Sequence, residues 1–236
     1  MSAGAWWDLF LAEQGGLDQM ETWLGGVDAP SRIRLRARIA ECGYRSVLDC
    51  GAGLGFDWLG LGPNVAHPVR YLGVEPSAWM REASLLLAER FGHDEPPPLM
   101  DGSIEALPVG DGEFEFVYCR HVWEHLPRFE PALREMLRAA ILEVAVVFFL
   151  RPAAQTYLTR ERDGLWQNVW ARHEIEAALY REEKYGTHFW QHLPGNESIL
   201  HVYTAEALEA VEPDGVAGRL AVAAEAAEPE AERSKE

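Results

Sequence analysis

Apolar positions along this chain follow two periods. Short continuous runs bounded by Gly, Pro and acidic residues predict buried strands, and spacings of three or four predict helices. The runs are Ser46 to Asp49, Arg70 to Val74, Leu99-Met100, Gly112 to Cys119 and Val144 to Leu150, the last rich in Val and Phe as in a strand covered on both faces. Between them lie helical patterns over Ala5 to Leu24 (broken at Gly15-Gly16), from Pro30-Ser31 onward, over Ser77 to Phe91, Pro131 to Leu142 and His173 to Lys184. Two more strands, Thr187 to His192 and Ser198 to Tyr203, flank Pro194-Gly195-Asn196, a hairpin signal. Strands alternating with helices predict an α/β fold with a mostly parallel sheet.

Some segments leave two readings open. The N-terminal pattern carries Trp6, Trp7, Phe10, Leu11, Leu17, Met20 and Trp23, which form either a core-facing stripe or an aromatic lid. Arg32, Arg34, Arg36 and Arg38 lie too close in sequence to share one helical face and are expected in solvent, with a local basic face for an acidic acceptor as the other reading. Phe56 to His67 contains Gly60, Gly62 and Pro63, so a helix there has only a few residues. Ala153 to Trp170, with Tyr157, Trp166 and Trp170, either covers a substrate or covers the sheet.

Composition narrows the partners. The 236 residues suffice for one sizeable domain, and 21 basic against 38 acidic residues give a formal charge of −17, which argues against a nucleic-acid partner. Cys42, Cys50 and Cys119 show no paired spacing, so neither a disulfide framework nor a zinc knuckle is expected. The first residues lack a basic stretch, and the longest apolar run, Ala139 to Leu150, is interrupted by Glu143; no signal peptide or membrane span is expected, and a cytoplasmic location is. From Ala205 the chain is rich in Ala, Glu and Pro, with nine acids against three basic residues, and is expected to be a disordered acidic tail over 205–236.

The chemistry concentrates at Ser46 to Phe56. A strand ends in Asp49 and runs into Gly51, Gly53 and Gly55, a turn that lets a ligand press on backbone because glycine lacks Cβ and tolerates positive φ. About twenty residues past the last glycine, Glu75 ends the second strand, where a carboxylate accepts ribose hydroxyls in dinucleotide folds. The spacing is G-x-G-x-G rather than G-x-G-x-x-G, position 56 is Phe, and Asp49 would repel a pyrophosphate but suits a cationic amino group.

Val47 to Gly55 matches hydrophobic-L-D-x-G-x-G-x-G throughout, and here the chain resembles the class I S-adenosylmethionine-dependent methyltransferases. The resemblance covers about Arg45 to Tyr203. It implies a three-layer Rossmann-like sandwich with a mostly parallel seven-stranded sheet and an antiparallel last strand, here as residues 44–204 with an added N-terminal helical cap, residues 1–43. It implies that S-adenosylmethionine is bound by Asp49, Gly51, Gly53, Gly55, Glu75 and Pro76, and that its adenine meets the loop before Leu107-Pro108. There Ser103 takes the side-chain position and Ile104 the backbone one, with Asp101 as an alternative acceptor. The activity implied is methyl transfer by SN2 attack of a small-molecule acceptor on the sulfonium methyl. Two other classes stay open: a cofactor-binding or partner-binding module without catalysis, and a nicotinamide-dependent reductase, which Asp49 and Phe56 disfavour.

After the fourth strand comes His121-x-x-Glu124-His125, which matches a zinc-peptidase pattern, H-x-x-E-H. Zinc needs both histidines a turn apart on a stable helix and a third ligand, whereas His121 falls at a strand end and Pro127 limits the helix, so no metal is expected. The same residues resemble the V-L-E-H-L segment of many small-molecule methyltransferases. They are expected to border the methyl-transfer site, with His121 and His125 as candidate bases and His121 also as a cofactor contact.

Overall fold

In the computed structural model the described residues are 8, 17–24, 26–62, 65–160 and 166–209. They form helices α1 (Leu17–Leu24), α2 (Pro30–Cys42), α3 (Phe56–Leu59), α4 (Ala78–Arg90), α5 (Glu130–Ala139), α6 (Arg172–Leu179) and α7 (Ala205–Glu209). The strands are β1 (Ser46–Cys50), β2 (Arg70–Val74), β3 (Leu99–Met100), β4 (Phe114–Arg120), β5 (Ala140–Phe148), β6 (Tyr185–His192) and β7 (Ser198–Thr204). They make one seven-stranded sheet in the order β3-β2-β1-β4-β5-β7-β6. Pairings from β3 through β5 are parallel, and β7 runs antiparallel to both β5 and β6. The expected Rossmann-like sandwich is the observed fold.

The strands are buried on both faces because their side chains alternate between two cores. Leu48, Val117, Val144, Val146 and Leu200 join α5 and α6 on one side. Val47, Phe116, Ala145, Val147 and Ile199 meet Leu35 and Ile39 of α2 on the other. The second helix of the segment set apart as a cap is therefore one of the sandwich's own layers.

Several expectations are corrected. Three of the four arginines of α2, Arg32, Arg36 and Arg38, are buried rather than in solvent, and Arg34 is half-buried. Arg32 pairs with Asp57, and Arg38 donates to Glu143 at 2.8 Å. Glu143, which seemed to interrupt an apolar run, is fully buried in β5 and also accepts from the Tyr44 hydroxyl (2.5 Å) and meets His201 Nδ1 (2.7 Å). β5 accordingly begins at Ala140, inside the stretch expected to be helix, because Ala140 already pairs with Phe114. The helix expected over His173 to Lys184 ends at Leu179. The tail expectation fails for its first residues: Ala205–Glu209 is helical, Ala207 is buried, and its N–H donates to Thr204 Oγ1 at 3.1 Å. Residues 210–236, and most of the aromatic N-terminal pattern, lie outside the described residues.

Candidate cofactor site

The turn after β1 is built from positive φ: 79° at Gly51, 58° at Gly53 and 76° at Gly55. The Gly51 and Ala52 N–H groups donate to Val74 O at 2.7 and 3.2 Å, closing the turn onto the end of β2. A Cβ on Gly51 would lie 2.5 Å from Val122 Cγ2, and one on Gly55 2.6 Å from Pro97 Cγ, so neither position has room for another residue.

Glu75 leaves the end of β2 and points back at this turn. Its Oε2 accepts the Gly53 N–H and its Oε1 the Ser77 N–H, both at 2.8 Å. Burial pushes its carboxyl up to about 7 despite those bonds. Ser77 caps α4 by accepting from Met80 N at 3.1 Å. Asp8, from the N-terminal segment, reaches the same spot, accepting from Ser77 Oγ (2.6 Å) and Trp79 N (3.1 Å).

These groups open on a cleft lined by Gly51, Gly53, Glu75, Pro76, Ser103, Ile104 and His125 among the expected residues. Met80, Glu105, Val122 and Leu126 complete the lining and were not singled out from sequence. Met80 lies on the apolar side of α4, Val122 sits inside the His121 to His125 segment and Leu126 directly follows it, so a signal existed for them; Glu105 had none beyond its place between Ser103 and Leu107. The lining is largely apolar with a few fixed polar groups, as in small-molecule sites.

Four expected residues lie elsewhere. Gly55 packs on Pro97 at the start of α3. Asp101 is exposed and pairs with Arg81 at 2.8 Å. Asp49 is buried behind the turn, where the Tyr71 hydroxyl donates to it at 2.6 Å and burial, then the charge of Asp57, push its carboxyl up. His121, at φ 56°, meets Glu197 Oε1 through Nε2 at 2.7 Å, and burial pushes it down to about 4.

The zinc-like pattern is pulled apart. His121 meets Glu197, Glu124 Oε1 accepts the Phe149 N–H at 2.6 Å, and His125 Nδ1 donates to Trp166 O at 2.8 Å. Among the described residues, no group of three His, Cys, Asp or Glu is placed to hold a metal ion. Only His125 of the two histidines faces the cleft, and burial lowers its pKa.

The sequence model of the methyltransferase domain family matches residues 48–147, which run from β1 to β5 and contain the whole cleft lining. Over 107 residues the chain is 32% identical to the uncharacterised methyltransferase YcgJ of Bacillus subtilis, a match spanning 45% of this chain and 41% of that protein. The YcgJ crystal structure superposes with a TM-score of 0.52 at 23% identity, over 68% of this chain and 69% of that one. Magnesium protoporphyrin IX methyltransferase of Synechocystis, solved with S-adenosylmethionine bound, gives 0.54 at 16% identity over 76% and 78%. The [4+2]-cyclase SpnF gives 0.58 at 16% over 73% and 80%. At these identities the superpositions speak for the fold alone.

Proposed function

We propose that this chain, whose residues 48–147 match the sequence model of the methyltransferase domain family, binds S-adenosylmethionine in this cleft and transfers the methyl group to a small-molecule acceptor. The observation that carries the reading is Glu75: two backbone N–H groups fix its carboxylate at the end of β2, and its remaining lone pairs are aimed where ribose hydroxyls need acceptors. The glycine turn supplies a surface with no Cβ to hold a ligand away. Ser103 and Ile104 form the wall for the adenine, with Met80 and Leu126 lining the same cleft.

The cofactor brings an already activated methyl group, so the chain's contribution is alignment, which can supply several kcal/mol of the barrier. Gly51, Gly53 and Glu75 fix one reactant. His125 is the group positioned to take a proton from an acceptor that must lose one, since its Nδ1–H is committed to Trp166 O and a neutral imidazole then carries its lone pair on Nε2. His121, turned toward Glu197, holds the end of β4 instead. We place the protein in the cytoplasm, where three free, buried cysteines stay reduced. Among the described residues no helix is long and apolar enough to cross a membrane.

A cofactor-binding module without methyl transfer shares this geometry, as the superposition on a protein named a cyclase illustrates. Titration calorimetry separates the readings. The expected result is S-adenosylmethionine binding that weakens by roughly 1 to 3 kcal/mol in Glu75→Ala, where buried donors and ribose hydroxyls lose their acceptor. Binding of NADPH with none of S-adenosylmethionine would sink the proposal. Retention of the methyl group under every acceptor class tried would favour the module.

A further inference from the structure

Each of the residues 123 to 126, in the turn that carries His125, is held from one side by a single extended segment. Trp170 Nε1 donates to Trp123 O at 3.0 Å. Asn168 N donates to Glu124 O at 2.8 Å, and Asn168 Nδ2 donates to Leu126 O at 2.6 Å. Trp166 O accepts from His125 Nδ1 at 2.8 Å. The contacts come from residues 166, 168 and 170, the alternation of an extended chain, and they meet four consecutive residues of the turn, 123 to 126. Asn168 is 1% exposed, and its Oδ1 also accepts the Thr159 N–H at 3.1 Å, so one buried amide links both limbs of the segment after β5 to the turn. Trp170 stacks edge-on against Phe129, and Trp123 stacks on the same ring, which locks the two sides together.

We propose that this strap is the device that sets the tautomer and direction of His125, with Asn168 as its positioning residue. The inference rests on the reading of His125 as the proton acceptor of the cleft, but its physical content is separate. The carbonyl of Trp166 accepts and cannot donate, so a neutral ring bonded to it must carry its proton on Nδ1. That choice leaves the lone pair on Nε2. Asn168 ties this segment to residues 124 and 126 on one side and to Thr159 on the other, and beside it Gln167 N donates to Thr159 O at 2.9 Å and Trp166 bridges Arg160, so the Trp166 carbonyl meets the ring from a segment that Asn168 fastens to the turn. A strap that merely covered the sheet would not need to contact every residue of the turn.

The test is nitrogen-15 spectroscopy of the full chain labelled at its histidines, with the His125 signals identified by their loss in His125→Gln. Near neutral pH the wild type should show His125 as the neutral ring protonated on Nδ1. Asn168→Asp, equal in size but without the Nδ2–H donor, and Asn168→Ala should move His125 toward a mixture of tautomers. The signals of His201, held by Glu143 on the opposite face of the sheet, should stay in place. A wild-type ring protonated on Nε2 would overturn the assignment, as would an unchanged His125 in either folded variant. Loss of the fold in both variants would also defeat it, since Asn168 would then be a folding residue. Failure of the methyltransferase reading registers elsewhere, as absent S-adenosylmethionine binding with the His125 tautomer intact.

Discussion

Glu124 shows how one buried side chain can couple folding to pH. Its Oε1 accepts from Phe149 N, its Oε2 has no hydrogen-bond partner, and burial raises its carboxyl from the usual 4.5 to about 7. Below pH 4.5 both folded and unfolded chains hold the proton, and the group's favourable contribution is fully present. As pH rises toward 7 the unfolded chain ionises while the folded one does not, so stability falls at up to about 1.4 kcal/mol per pH unit for this proton. Glu124→Gln keeps the shape and an acceptor and removes the titration. Denaturant unfolding from about pH 5 to about pH 8 should therefore show the variant gaining on the wild type as pH rises. Parallel curves would mean that Glu124 is not held protonated. The residue-level legibility of the site has the same physical limit. Gly51, Gly53 and Glu75 announced themselves because glycine spacing and an acid at a strand end follow directly from backbone chemistry. Asp49 belongs to that pattern, yet its burial against Tyr71 depends on a partner that is adjacent only in the folded sheet.

At the scale of elements, β1, β2, α4, β6 and β7 were legible because a run of apolar residues, a capping Ser77 and a Pro-Gly-Asn turn are local signals. The start of β5 and the role of α2 were not. Glu143 looks like a break in an apolar run until Arg38, 105 positions away, is placed beside it. Arg38 Nε and Nη2 both donate to that carboxylate, and Tyr44 and His201 complete the set, so α2, β5 and β7 are joined by one buried charged cluster. These partners hold the Glu143 carboxyl down to about 2 against the effect of burial. Its contribution is thus present above pH 4.5 and lost as pH falls toward 2. Glu143→Ala should cost about 3 to 5 kcal/mol, since it strands a buried guanidinium. Replacing Arg38 and Glu143 together by Met and Leu should recover a large part of that loss. A single variant within about 0.5 kcal/mol of wild type would show that the cluster is not formed in solution.

Across the whole molecule, the C-terminal boundary is where composition and packing part company. The excess of acidic residues after Ala205 is real in the sequence, but the first five of these residues form α7, whose Ala207 is buried and whose Leu208 lies beside Gly186 of β6. A Cβ on Gly186 would stand 2.6 Å from Thr204 O and 2.8 Å from Leu208 Cδ1, so that glycine is there to let the helix start close against the edge strand. Ala205 N donates to Lys184 O at 2.9 Å, which ties the start of α7 to the start of β6. Composition cannot show this, because an alanine is apolar enough to fill a small gap and common enough to pass for filler. Two truncations separate the packed part from the rest. Ending the chain after Glu209 should leave the melting temperature near that of the full chain, since residues 210–236 have too little apolar content to offset the entropy of ordering. Ending it after Thr204 should lower the melting temperature by several degrees, because it uncovers the β6–β7 edge, leaves Thr204 Oγ1 without the Ala207 N–H and removes the Ala205 bond to β6. Equal melting temperatures for the two truncations would show that α7 contributes nothing to the sheet edge, and a large drop already after Glu209 would show that the acidic segment docks as structure.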